Sequence, residues 1–274
     1  MPELPEVQTI VNDLRPHAVG AAIARVVVLR ADFVQPSGVR LPHLLAGRTV
    51  INVHRRGKRI IFTLDNQQRF LIHLGMTGRV TLEPVATPLR LHTHVVIQLR
   101  RTALPVIELH LCDPRRFGWI EWLGNTDGEQ GLGIEPADLT PARLAKLLRA
   151  TRRPIKALLL DQRAIAGLGN IYADESLFAA GIHPQTPGCE IPVPGVRRLC
   201  AAIKDTLAKA IRHRGSTLRD YVDAAGGKGT FQKLHHVYGR AGLPCRKCRA
   251  VIAGIRLAGR STCFCPECQP QLPV

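Results

Sequence analysis

Hydrophobic positions along the chain change rhythm twice. Val7, Ile10, Val11 and Leu14 recur at i, i+3, i+4 and i+7, the stripe of an amphipathic helix, with Pro16 and Gly20 read as its stop. Between about residues 24 and 123 the apolar residues come in short β-rich runs: 24–29, 49–53, 59–64, 70–74, 94–99, 106–111 and 119–122. Turn residues such as Asp65-Asn66 and Gly75 separate them, a spacing that predicts antiparallel strands in a sandwich or barrel. After Gly131-Leu132-Gly133 the pattern turns helical. Thr140-Pro141 is an N-cap followed by a proline in the first turn, leading into Leu144, Leu147 and Leu148. Further helices are predicted over 155–160, 170–180, 194–213 and 218–224, followed by a Gly-rich segment at 226–229 and a cysteine-rich end.

Composition narrows what such a chain can do. Its 274 residues are 45% hydrophobic and 22% charged, enough for a sizeable core split over two domains. No apolar run approaches the roughly 18–20 residues that cross a bilayer. Glu3, Glu6 and Asp13 precede the first basic residue, Arg15, the reverse of an export signal, so a cytoplasmic protein without membrane contact is expected. The net charge is +17, and it is uneven. Residues 1–135 hold 16 basic and 12 acidic side chains, whereas residues 136–274 hold 22 and 9. That imbalance points to a polyanion, and nucleic acid is the commonest one.

The cysteines sharpen the picture. Five of the eight fall within the last thirty residues, unlike the spread of a secreted disulfide framework. Cys245-x2-Cys248-x16-Cys265-x2-Cys268 puts two thiolates on each of two tight turns and leaves room between them for a hairpin. Four thiolates complete a tetrahedral shell, so one structural Zn2+ is expected, with no open position for chemistry. Cys263 lies outside the spacing and reads as a small apolar residue. Arg256 and Arg260 on such a hairpin could reach a phosphate backbone or a groove.

Other segments carry candidate chemistry. Removal of Met1 would leave Pro2 as a free secondary amine beside Glu3. An α-amine titrates near pKa ~8 and so keeps a neutral, nucleophilic fraction, able to form an iminium with a sugar carbon or an aldehyde. Glu3 could move the accompanying protons. The Gly167-Leu-Gly169-Asn170 turn runs straight into a helix, which reads as a phosphate site or as an ordinary capped turn. Met76 follows a β-run at a turn, and Asp113-Pro-Arg115-Arg116-Phe117-Gly118 pairs two guanidiniums with a ring. A base-flipping enzyme needs such wedges, plus an arginine for the orphaned base. The basic turn 55–59, with Lys58 at its tip, reads equally as a phosphate contact and as a solvated bend.

Taken in order, these segments resemble the bacterial formamidopyrimidine-DNA glycosylase family. The match runs from Met1-Pro-Glu-Leu-Pro-Glu-Val7 through His73-Leu-Gly-Met76, Asp113-Pro-Arg-Arg-Phe-Gly118, Gly167-Leu-Gly-Asn-Ile-Tyr-Ala173, the stretch 175–184 and Val237-Tyr-Gly-Arg240 to the four cysteines. The resemblance implies a monomeric, bifunctional glycosylase and abasic-site lyase of the bacterial cytoplasm, associated with the nucleoid. Its partner would be damaged double-stranded DNA and its targets 8-oxoguanine and formamidopyrimidines. Pro2 would be the nucleophile at C1′ and Glu3 the general acid/base. Lys58, Asn170 and Arg260 would hold phosphates near the reacting sugar, joined by His73. Met76, Arg115 and Phe117, with Arg116 alongside, would fill the void and contact the widowed cytosine. Glu6 and Glu175 would be acids near the active site, and Lys156 would belong to the lesion pocket.

The implied fold is α+β and multidomain. An N-terminal helix and antiparallel β-sandwich occupy 1–133, a helix-two-turn-helix domain 134–226, and a connecting segment with the zinc hairpin 227–274; a loop near 216–230 would cover the extruded base. Gln8 stands where the family commonly has Glu, Val11-Asn12 where a basic pair is frequent, Thr93 where Asp is common, and Cys263 where an aromatic is common. Two rivals remain: a sister activity that prefers oxidised pyrimidines, against which Leu4 and the motifs at 73–76 and 115–117 weigh, and a zinc-hairpin protein that binds damage without cutting.

Overall fold

The computed structural model describes residues 2–102 and 104–271, in two compact units. One comprises Met1–Gln130 with His213–Thr230, the other Gly131–Arg212 with Phe231–Val274. The expected segment 134–226 is therefore divided, because its end is bonded to the first unit's own helix and strands. Among the described residues no helix is long and apolar enough to cross a membrane.

The first unit opens with α1 (Leu4–Ala18), whose Val7, Ile10, Val11 and Leu14 are fully buried. Each contributes about 1.5–3 kcal/mol by leaving water. Pro16 lies inside the helix rather than ending it; placed in the last turn, it forfeits little of the hydrogen-bond ladder. Two sheets follow. One has the order β1-β7-β8-β6, from β1 (Ala22–Val28), β6 (Arg79–Pro84), β7 (Thr93–Arg100) and β8 (Ile107–Cys112). The other has the order β2-β9-β5-β4-β3, from β2 (Val34–Gln35), β3 (Val50–Arg56), β4 (Arg59–Leu64), β5 (Arg69–His73) and β9 (Trp119–Gly124).

All pairs are antiparallel except the short edge pair of β2 and β9. Alternate residues such as Phe62, Phe70, Ile97, Leu109 and Ile120 join α1 in one core. Phe62 and Phe70, partners across β4 and β5, stack at 4.6 Å. The pattern did not single out β2, β6 or the short α2 (Leu41–Leu45). The helix expected over 218–224 is absent. The Asp223 carboxylate there accepts from Ala225 and Gly227 N–H, and the Ala224 carbonyl accepts from Leu82 of β6. Those bonds take the place of an intrahelical ladder.

The second unit holds α3 (Pro141–Arg149), α4 (Ile155–Leu160), α5 (Asn170–Ala180) and α6 (Val193–Arg212). The Thr140 hydroxyl caps α3 by accepting from Arg143 N–H at 3.2 Å. Helix α5 is buried continuously from Ile171 to Phe178, and Gly181 ends it in the left-handed conformation, at φ +67°. β10 (Ala253–Leu257) and β11 (Arg260–Phe264) form the closing hairpin.

Candidate active site and nucleic-acid contacts

Pro2 and Glu3 are buried at the head of α1; Met1 lies outside the described residues. Glu3 is the N-cap and forms a capping box with Glu6, so two of the helix's open N–H groups are satisfied reciprocally. The Glu6 carboxylate accepts from Glu3 N–H at 2.9 Å through one oxygen and from Ser216 N–H at 2.7 Å through the other. Gly215 makes this approach possible, since a Cβ there would stand 2.6 Å from Glu6 Oε1 and its φ is +78°. The Tyr221 hydroxyl donates to the Glu6 carbonyl at 3.4 Å. Burial, then the Glu6 charge, push that phenol up, so it stays protonated.

Arg214 spans Asp13 at 2.6 Å and Asp223 at 2.7 Å. The 213–230 return thus fastens α1; Ser216 entered the sequence reading only as the first residue of the expected covering loop, and Arg214 and Gly215 did not enter it. The only signal at Gly215 was that of a helix stop. An amine at Pro2 would sit beside a carboxylate, in a backbone setting held from both sides.

Lys58 follows Gly57 in the two-residue turn between Arg56 and Arg59 and is half-buried. The arginines around it serve the fold. Arg55 donates to Gln8 and to the Gly57 carbonyl, Arg56 pairs with Glu129 at 3.2 Å, and Arg59 donates to the Gly128 carbonyl. Gln8, one of the family departures, is therefore a partner of the turn.

His73 stacks on Trp119 at 4.1 Å, and its Nδ1 accepts from Gly75 N–H at 3.1 Å. Burial, then Arg59 and Lys58, push its imidazole down to about 4. At neutral pH it is uncharged with the proton on Nε2, so it can offer a phosphate a hydrogen bond but no cation. Met76 is half-buried, whereas Arg115, Arg116 and Phe117 are exposed. The Arg115 guanidinium lies 4.7 Å over the Phe117 ring.

In the second unit, Asn170 opens α5 and its amide donates to the Ser261 carbonyl at 2.9 Å. Lys156 departs from expectation. It is fully buried, and its ammonium pairs with Asp174 at 2.6 Å and donates to the Ser261 carbonyl and the Thr262 hydroxyl at 2.9 and 2.8 Å. Engaged in this way inside the unit, it braces β11. Burial outweighs the Lys156 charge and lifts Asp174 to about 6. Glu175 likewise serves the backbone, accepting from the N–H groups of His236, Val237 and Tyr238 at 2.9–3.1 Å.

The Sγ atoms of Cys245, Cys248, Cys265 and Cys268 lie within 4.8 Å of one another, close to the about 3.8 Å edge of a tetrahedral zinc–thiolate shell. Lys247 and Cys268 N–H groups point at Cys245 and Cys265 sulfurs, as tight metal-binding turns require. The donor set fits one structural zinc with no position left open. Cys263 is not part of it; it is buried against Phe178 and Val237. Arg256 and Arg260 stand exposed on the hairpin.

Three family models match in order: the formamidopyrimidine-DNA glycosylase N-terminal domain over residues 1–120, its H2TH domain over 132–222, and the zinc finger found in FPG and IleRS over 242–271. The chain is 43% identical to a formamidopyrimidine-DNA glycosylase of Gluconobacter oxydans, across 98% of its own length and 100% of the relative's. The chain belongs to the formamidopyrimidine-DNA glycosylase family. A second glycosylase of the family, from Xanthomonas oryzae, is 40% identical over 98% of the chain and all of its own length. The fold matches the family's solved structures as well. A point mutant of the Lactococcus lactis enzyme bound to DNA containing Fapy-dG superposes with a TM-score of 0.90 at 34% identity, over 98% of this chain and 100% of that one. The complex of the L. lactis enzyme with abasic-site DNA gives the same values. In this glycosylase family the zinc finger is part of the shared architecture, and the four cysteines here supply it.

Proposed function

We propose that the protein excises oxidised purines, 8-oxoguanine and formamidopyrimidines, from duplex DNA and then cuts the strand on both sides of the resulting site. The observation that carries this reading is the head of α1, where Pro2 and Glu3 are buried together over the Glu6–Ser216 fastening. Support comes from the relatives, named as formamidopyrimidine-DNA glycosylases, and from the L. lactis complexes with lesion and abasic DNA.

Once Met1 is cleaved, the neutral Pro2 nitrogen attacks C1′ of the damaged nucleotide, and the C1′–N bond breaks as the base leaves with a proton. Glu3 protonates the ring oxygen, the sugar opens, and the Pro2 N–H proton is lost as the C1′ iminium forms. The iminium acidifies the 2′ carbon. Loss of that proton expels the 3′ phosphate, and a second elimination through C4′ expels the 5′ phosphate. Lys58 in the first unit, and Asn170 and Arg260 in the second, hold backbone phosphates, with neutral His73 adding a hydrogen bond. Met76, Arg115 and Phe117 enter the stack, and Arg115 takes up the unpaired cytosine, with Arg116 beside it.

Borohydride trapping tests the central step. Lesion duplex should yield a covalent adduct with the processed protein, and a blocked N-terminus should abolish it. Tight binding of lesion DNA with no adduct would replace the enzyme with a non-cutting damage binder. On matched duplexes, 8-oxoguanine opposite cytosine should be excised faster than thymine glycol; the reverse order would place the chain with the pyrimidine-preferring sister activity.

A further inference from the structure

The two loops that carry the wedge side chains lie 36 residues apart in sequence yet meet backbone to backbone. Residues 74–78 join β5 to β6 and bear Met76; residues 113–118 join β8 to β9 and bear Arg115 and Phe117. A Cβ on Gly75, at φ +57°, would stand 2.3 Å from the Phe117 carbonyl, and one on Gly118 would stand 2.7 Å from the His73 carbonyl oxygen. At both points the nearest atom across the gap belongs to the backbone. What lies at their junction is the Asp113 carboxylate, which is fully buried. Its Oδ1 accepts from the Thr77 hydroxyl at 2.5 Å and from Arg115 N–H at 3.2 Å, and its Oδ2 accepts from Gly118 N–H at 2.7 Å. The Asp113 backbone is held too, its carbonyl meeting His94 Nε2 at 2.8 Å.

We propose that Asp113 is a positioning residue that fixes both wedge-bearing loops as a single rigid body, so that Met76, Arg115 and Phe117 enter a duplex together. The inference rests on reading those three side chains as void-filling. One carboxylate bonds the residue after Met76, the Arg115 backbone itself and the residue after Phe117, so each wedge is at most one residue from it. A buried anion is costly unless its lone pairs are met; here donors from both loops meet them, and each loop's geometry depends on the other. Arg116 turns at φ +55° between the two backbone contacts, a left-handed conformation that an arginine adopts only when its surroundings impose it. Its guanidinium reaches Asp32 at 3.4 Å, away from the Asp113 bonds. The bonds of the Asp113 carboxylate run to Thr77, Arg115 and Gly118, so the effect should fall on opening the duplex and not on iminium chemistry.

Two substrates separate these effects. A lesion duplex with 2-aminopurine beside the lesion reports unstacking, and a single-stranded abasic oligonucleotide has no void to fill. Thr77→Val keeps the shape and removes the donor; Asp113→Asn keeps the size and turns an acceptor into a donor facing an N–H group. Both should lower kcat/KM for lesion duplex on the order of tenfold and shrink the 2-aminopurine rise, while borohydride trapping on the single strand keeps its wild-type rate. Thr77→Ser, which retains the hydroxyl, should restore duplex activity. Unaltered duplex excision by Thr77→Val would overturn the proposal, as would equal losses on both substrates. If Asp113→Asn does not fold, the two Thr77 variants decide alone. A wild-type protein that fails to trap even the single strand would refute the glycosylase-lyase reading itself, and this inference with it.

Discussion

The zinc hairpin and the paired loops at 74–78 and 113–118 solve one problem, holding exposed arginines at or beside short turns, by opposite means. The hairpin is gathered by four thiolates within 24 residues of chain, on turns whose spacing is written in the sequence. The wedge loops are gathered by one carboxylate whose partners come from strands far apart in the chain. A metal concentrates binding free energy at a point and tolerates exposed surroundings. A carboxylate holds only while it is buried and every lone pair is met. The first device should fail all at once and the second by degrees.

Removing the metal is the harshest way to break that contrast. Cys248→Ser, or chelation of the native protein, should unfold the hairpin that presents Arg256 and Arg260, since structural zinc contributes about 10 kcal/mol or more to such small elements. DNA affinity should collapse and the zinc content fall to zero; a variant with wild-type affinity would show that the hairpin stands without its metal. A smaller effect is expected where the second unit itself relies on a carboxylate. Glu175→Ala leaves the N–H groups of His236, Val237 and Tyr238 without their acceptor, at a cost of about 3 kcal/mol, read as a lower urea midpoint with zinc still bound. Loss of zinc in that variant would mean that the two devices are not separable.

An effect of at most similar size concerns the loop side and sharpens the comparison through pH. His73 is held down to about 4, below the ~6.5 of an exposed imidazole. Between those values the unfolded chain binds the extra proton, so stability should be fully present above about pH 6.5 and decline as pH falls toward 4, by up to about 3 kcal/mol. His73→Asn, whose Oδ1 can replace Nδ1 as the acceptor for Gly75 N–H, should flatten this acid limb of the melting temperature. An unchanged slope would assign the limb to other histidines.

Elements with a local cause were readable in the sequence. The α1 stripe, the Thr140 cap, the bounds of α4 and α5 and the cysteine turns all follow from residues within a few positions of one another. What escaped was set at a distance. Lys156 reads as a ligand-facing cation in the sequence, where nothing shows that Asp174, the Ser261 carbonyl and the Thr262 hydroxyl stand against it. The 218–224 stretch has helical composition, but Asp223 and β6 claim its backbone. Pro2, Glu3, Met76, Arg115 and Phe117 stood out as candidates because the chemistry proposed for them lies in their own residues. Gly215, Ser216, Thr77 and Asp113 could not, because each matters only through what stands opposite it.

The bond from Ser216 N–H to Glu6 spans 210 positions, and this sets an order of events during synthesis. Glu6 meets this partner only after 210 further residues have been made. A product that stopped short of Ser216 would carry Glu3 and Glu6 but lack the strap that fastens Glu6 from the far side, so it should not seat the head of α1 as the longer chain does.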